Sequence, residues 1–181
     1  MIGADKHALR ARFNAGRLDR PAELIEAARA GIRLAVLQRC REARWHRIAA
    51  YVALRSEPGS PELLDALRAM QVQVLVPLML PDRHLDWTEW GAPESAGRPA
   101  SLGVDAIAEA DAIIVPALAV ARDGTRLGRG GGSYDRALAR ASAVPIAALL
   151  YSGELVAELP RDPWDVPVTA IVTPAGWLDL T

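Results

Sequence analysis

Cysteine is almost missing from this chain of 181 residues: Cys40 stands alone, so no internal disulfide can form. Histidine is nearly as scarce. His7, His46 and His84 are scattered, and with Cys40 they offer no zinc-ligand spacing. No apolar run approaches the length that a bilayer demands, and the opening residues carry no apolar signal-peptide region. Internal repeats and low-complexity tracts are absent, and no Ser–His–Asp or Cys–His constellation is in view. What remains is a composition of 51% hydrophobic and 24% charged residues, which reads as globular and cytoplasmic. The length suits one domain over residues 1–181 with a sizeable core, and is too short for two ordinary domains.

Charge is uneven. Residues 1–50 hold 11 Lys and Arg against 5 Asp and Glu, and the remaining residues hold 10 against 17, for a net charge of −1. A basic opening third can mark a nucleic-acid or membrane surface, a solvated helix face, or the wall of a nucleotide site. The near-neutral total argues against a dedicated nucleic-acid binder, whose affinity is built from phosphate neutralisation. Lys6 and Arg10 are assigned to a nucleotide site and the other arginines to a solvated face.

The pattern of apolar residues predicts helices over 5–14, from a cap at Asp19 through Cys40, over 60–70, near 104–110 and over 133–141. Strands are expected at 48–54, 72–78, 112–115, 145–150 and 168–172, and a long polar loop carrying Trp87 and Trp90 over 80–100. Alternating strands and helices imply an α/β fold: a single doubly wound domain with a mainly parallel sheet flanked by helices. In such folds ligands gather beyond the C-terminal ends of the strands, where Glu57 and a glycine-rich loop fall.

That loop is the densest signal in the chain. The stretch 115–136 reads VPALAVARDGTRLGRGGGSYDR, with Gly128, Gly130, Gly131 and Gly132 between an apolar strand and a helix. Clustered glycines let several amide N–H groups converge on one anion, most often phosphate. Arg126 and Arg129 add positive charge beside the loop, and Asp135 is placed to face a metal ion carried by that phosphate. A plain flexible turn is the competing reading; arginines on one side and an acid on the other favour phosphate. Neither generic glycine motif fits. Ser133-Tyr134 follows Gly132 where a P-loop needs Lys and Ser or Thr, and G-x-G-x-x-G would end on Ser133.

Taken whole, the stretch resembles the signature of the 5-formyltetrahydrofolate cyclo-ligase (methenyltetrahydrofolate synthetase) family, close to V-P-G-L-A-F-D-x-x-G-x-R-L-G-x-G-x-G-Y-Y-D-R. Val115, Pro116, Leu118, Ala119, Gly124, Arg126, Leu127, Gly128, Gly130, Gly132, Tyr134, Asp135 and Arg136 fall in register. Lys6 to Arg10 resembles the family's K-x-x-L-R, whose Lys and Arg contact ATP, and 51–57 resembles its Y-x-x-x-x-x-E, whose Glu contacts the folate. Leu159-Pro160 and Trp164-Asp165-Val166-Pro167-Val168 resemble L-P…H-D-x-P-V. The departures fall mostly on the folate side. Ser133 stands where the family has Tyr or Phe, Pro58-Gly59-Ser60 follows Glu57 in place of V-D-T, and Trp164 replaces His. Thr169 replaces Asp, and Ala117 and Ala121 replace Gly and Asp.

The resemblance implies an ATP- and Mg²⁺-dependent closure of 5-formyltetrahydrofolate to the 5,10-methenyl form through a phosphorylated formyl group. Lys6, Arg10, Gly128, Arg129, Gly130, Gly131, Gly132, Ser133 and Tyr134 would hold the nucleotide, with Arg129 and Asp135 in the chemistry. Asp135 and Asp165 would hold Mg²⁺. Glu57, Ser133 and Tyr134 would face the reduced folate, with Trp87 and Trp90 supplying the flat surface lost at Ser133 and Trp164 in the core. A paralogue that keeps ATP and uses another acceptor, or is non-catalytic, is the alternative. A sugar-phosphate isomerase-like or coenzyme-A-transferase-like enzyme is a third, by fold analogy alone. No nucleic-acid or membrane partner is expected, and the chain is expected to be a monomer or weak dimer.

Overall fold

The computed structural model describes residues 2–93, 99–141 and 143–180. Two helices open the chain, α1 (Ile2–Leu18) and α2 (Ala22–Ala43), followed by β1 (Arg47–Ala49), α3 (Pro61–Ala69), β2 (Gln73–Met79) and β3 (Leu85–Glu89). A 3-10 helix, Val104–Glu109, leads into β4 (Ala112–Pro116), β5 (Ala119–Ala121) and β6 (Arg126–Leu127). After α4 (Ser133–Leu138) come β7 (Ile146–Leu149), β8 (Leu155–Val156), β9 (Ala170–Thr173) and β10 (Gly176–Asp179). No described helix is long and apolar enough to cross a membrane.

Seven strands form the main sheet in the order β10-β9-β7-β4-β1-β2-β3. The inner five pair in parallel, and β3 and β10 close the two edges antiparallel. The reason lies in the strands themselves. Ile48 and Ala49, Val74 and Leu75, Ile113 and Ile114 are successive apolar residues, so each strand buries both faces, as only a sheet covered on both sides allows. One face packs under α2 and α3, through Ile32, Val36, Leu64 and Leu67; the other packs under the 3-10 helix and α4, through Ile107, Ala137 and Leu138. Ile32 and Val36 sit one turn apart on α2 and are fully buried, each worth about 1.5–3 kcal/mol of burial. The architecture is the expected α/β one, with a mainly parallel sheet flanked by helices.

A second, three-stranded sheet, β6-β5-β8, stands beside the first. Its Leu118, Ala119 and Leu127 cluster receives Leu9 and Phe13 of α1. The far end of α1 is held by charge. Arg17 donates through Nε and a terminal nitrogen to both oxygens of Glu154, at 2.8 and 2.7 Å, and to the Ala117 carbonyl at 2.6 Å.

Several boundaries differ from expectation, each for a local reason. The stretch 80–100 is not one loop: Leu80 and His84 close a turn with Arg83 at φ +65°, and β3 returns along β2. Asp86 and Thr88 made that strand look polar, yet both are buried, and Asp86 accepts from the Trp87 amide and from Ser101 Oγ. The strand expected over 48–54 stops at Ala49, because the chain then bends to bring Glu57 Oε2 onto the Leu54 amide. The helix α4 ends after six residues, well short of 141.

Candidate active site

Counted along the sheet, the parallel strands run β2-β1-β4-β7-β9, so the chain leaves β1 toward one edge and β4 toward the other. The crevice beyond the C-terminal ends of β1 and β4 is a topological switch point, where open α/β sheets bind ligands. Glu57 follows β1 and the glycine loop follows β4, and both line a cavity of about 310 Å³ at this point.

The glycine loop forms one wall. Among the described residues, none of the amide N–H groups from Gly128 to Gly132 donates a hydrogen bond within the protein. Five such donors on one loop, open to the cavity, are available to converge on an anion. Gly130 at φ +97° and Gly132 at φ +67° hold left-handed conformations that a Cβ disfavours. With α4 only six residues long, the loop amides rather than the helix dipole carry the attraction for an anion.

The helix α1 supplies cations to the same cavity. Arg10 Nε donates to the Gly128 carbonyl at 2.9 Å, so its guanidinium lies along the loop. Lys6, 7% exposed, sits with Nζ 2.7 Å from Oδ2 of both Asp162 and Asp165. Burial alone pulls the Lys6 ammonium down, but the hydrogen bonds to Asp162 and Asp165 outweigh it and leave the group above its ordinary value. Burial likewise pushes Asp165 up, and the Asp162 amide at 2.8 Å with Lys6 more than reverses it.

Asp135 sits opposite. Its Oδ1 accepts from an Arg126 terminal nitrogen at 2.8 Å and from the Val166 amide at 3.4 Å. Arg126 also reaches the Pro116 carbonyl at 3.3 Å and places its guanidinium 5.9 Å from the Tyr134 ring centre. Burial pushes the Tyr134 phenol well above its ordinary value, against the opposing pull of Arg126. On the remaining side, Glu57 accepts from Arg129 Nε at 3.0 Å, and Ser133 Oγ lies 3.7 Å from Met79 Sδ.

Lys6, Arg10, Glu57, the loop 128–132, Ser133, Tyr134, Asp135 and Asp165 therefore share one cavity. The two tryptophans expected at the substrate do not. Trp87 is wholly buried under the 3-10 helix, because strand pairing with Pro77 turns it into the core. Trp90 packs on the opposite core cluster and donates its indole N–H to Asp65 of α3 at 2.8 Å. Trp164, expected in the core, is 70% exposed and lines the cavity. Met79 and Asp162 also line it and were not singled out in the sequence. Met79 ends a strand that looked purely structural, and the one available signal for Asp162 was its spacing of three from Asp165.

Two carboxylates could share a cation here. Asp135 Oδ2 and Asp165 Oδ1 accept no hydrogen bond from the described residues. Among those residues no group of three or more His, Cys, Asp or Glu gathers to hold a metal unaided. Mg²⁺ takes one or two carboxylates together with phosphate oxygens and water, and Asp135 with Asp165 is the pair that would hold it.

Two solved 5,10-methenyltetrahydrofolate synthetases share the fold. The one from Mycoplasma pneumoniae superposes with a TM-score of 0.79 at 21% identity, over 94% of this chain and 99% of its own. The one from Aquifex aeolicus has a TM-score of 0.75 at 23% identity, over 97% and 92%. The 5-formyltetrahydrofolate cyclo-ligase of Mycolicibacterium smegmatis is 41% identical over 70% of this chain and 73% of its own length. That of Haemophilus influenzae is 29% identical over 69% and 74%. Residues 2–174 match the sequence model of the 5-formyltetrahydrofolate cyclo-ligase family, and the chain belongs to that family of enzymes.

Proposed function

We propose that the chain converts 5-formyltetrahydrofolate to 5,10-methenyltetrahydrofolate at the expense of ATP, releasing ADP and phosphate. The observation that carries this reading is one cavity walled by the free amides of 128–132 on one side and by the buried Glu57 carboxylate on the other. The amides, with Lys6, Arg10 and Arg129, bind the triphosphate; Glu57 accepts N–H donors of the pterin. A formamide oxygen is a poor leaving group. Transfer of the γ-phosphoryl to it makes a good one, the neighbouring folate nitrogen attacks the formyl carbon, and phosphate leaves as the ring closes. Such transfer needs positioning and charge stabilisation rather than a protein nucleophile. When bound, Mg²⁺ neutralises charge on the phosphate oxygens, and Asp135 and Asp165 are the residues that would hold it.

Ser133 and Tyr134 face the folate together with Met79, which takes the place assigned to Trp87 and Trp90, and Trp164 stands beside Asp165 on the nucleotide side. The enzyme acts in the cytoplasm as a monomer or weak dimer whose partner is the reduced folate. A second reading, ATP bound with another acceptor, is favoured by Ser133 at the position where the family carries a ring. The test mixes protein, ATP, Mg²⁺ and 5-formyltetrahydrofolate and follows methenyl absorbance. Growth of that band only with all components supports the reading. ATP-dependent phosphate release that ignores the folate would replace it with the second.

A further inference from the structure

The Glu57 carboxylate has two partners among the described residues, and they differ in kind. The Leu54 amide donates to Oε2 at 2.8 Å from a turn of the main chain. Arg129 donates to Oε1 at 3.0 Å from the glycine loop. The Glu57 side chain is 5% exposed and that of Arg129 43%, so the acid is fixed and the base can leave. The neighbouring pair behaves otherwise: Arg126, which holds Asp135, is 4% exposed and is tied to the Pro116 carbonyl as well. Lys6 is held by two aspartates at once. Among the cavity cations paired with a carboxylate, Arg129 thus has the weakest hold, and its partner is the acid that faces the other substrate.

A carboxylate as deeply buried as Glu57 is strongly destabilised when its cation departs and no donor replaces it. We propose that Arg129 exchanges between Glu57 and the nucleotide phosphates, so that nucleotide and folate bind cooperatively; this rests on the cyclo-ligase reading above. Nucleotide alone draws Arg129 away and strips Glu57. Folate alone has to turn Arg129 out into water. With both present, the phosphates receive the guanidinium and the pterin N–H groups receive the carboxylate, and neither penalty remains. The coupling is reciprocal, since linkage requires each ligand to tighten the other by the same factor.

Calorimetric titration tests this with a non-hydrolysable ATP analogue plus Mg²⁺ and with 5-formyltetrahydrofolate, each alone and each with the other saturating. In the wild-type protein each ligand is expected to tighten the other about tenfold. In Arg129→Ala the enhancement should vanish, and folate alone should bind no more weakly than to wild type. Arg129→Lys, which keeps charge without the planar fork, should retain part of it. Wild-type protein that binds both ligands without mutual enhancement overturns the exchange and leaves the cyclo-ligase reading standing. So does Arg129→Ala with the enhancement intact. Wild-type protein that binds neither ligand overturns both.

Discussion

Truncating Glu154 to alanine should destabilise the protein by about 3–5 kcal/mol, far more than loss of a surface ion pair. The side chains of Arg17 and Glu154 are 1% and 5% exposed, so water neither screens the pair nor replaces a lost partner. Glu154 accepts both Arg17 bonds and also the Tyr151 amide at 2.9 Å. Its removal leaves a buried guanidinium with only the Ala117 carbonyl, and a buried amide with nothing. Arginine cannot shed its charge to escape this. Burial does pull Arg17 toward deprotonation, yet the hydrogen bond to Glu154 outweighs it and the guanidinium ends above its ordinary value. Glu154→Gln keeps the shape and one acceptor, and should lose about half as much. Arg17→Met with Glu154→Leu removes both charges together and should be more stable than Glu154→Ala alone. Urea unfolding measures each difference from the midpoint at constant slope. A loss below about 1 kcal/mol for Glu154→Ala, or a double variant no better than the single, would refute the buried-charge argument.

The ligand-free protein should show a pH window set by Lys6 and Asp165. Asp165 is held below its ordinary value, so its contribution is complete above about 3.9 and fades as pH falls further; Lys6 is held above its own, so its contribution is complete below about 10.4 and fades as pH rises. Melting curves across pH should therefore lose their acid limb partly in Asp165→Asn, and unchanged limbs would contradict the assignment. Trp164→Ala should leave the melting temperature almost untouched, because the ring is 70% exposed, while raising the ATP KM two- to tenfold and sparing that for folate. Steady-state kinetics reads the split, and equal effects on both constants would remove Trp164 from the nucleotide side. Gly130→Ala forces a side chain into φ +97° with its Cβ 3.3 Å from Arg10 Cζ, which should cost about 1–2 kcal/mol and weaken nucleotide binding. Wild-type stability and affinity in that variant would show that the loop relaxes freely.

Strands with apolar residues on both faces were legible because burial on two sides leaves an unbroken apolar run, as in Ile113, Ile114 and Val115. The antiparallel edge β3 was not, since Asp86 and Thr88 interrupt it and their burial depends on Ser101 and the 3-10 helix, which arrive later in the chain. The strands β5, β6 and β8 hold two or three residues each, too few for any period to register. In the site, the glycine loop stood out because its chemistry is local and dense, whereas Lys6, Arg10 and Glu57 lie far apart in the chain and were expected there only through the resemblance to the cyclo-ligase pattern. Trp87 and Trp90 misled because a tryptophan in a polar stretch looks exposed, whereas a strand register decides which way the ring turns. Trp164 misled in the opposite sense: its neighbour Asp165 was expected in the site, but a large apolar ring was expected to turn inward, and it stands exposed on the cavity instead.

The switch point also sets a measure. Glu57 and the glycine loop descend from β1 and β4, which are hydrogen-bonded neighbours through Ile48 with Ala112 and Ala49 with Ile113. Adjacent strands stand about 4.8 Å apart, and that spacing is imposed by peptide groups rather than by side chains. The backbone ladder consequently anchors the two segments side by side at their roots, and the residues beyond the strands shape the walls that rise from there. A substitution such as Ser133, just past the glycine loop, can change what the walls grip without moving the strand ends from which they rise.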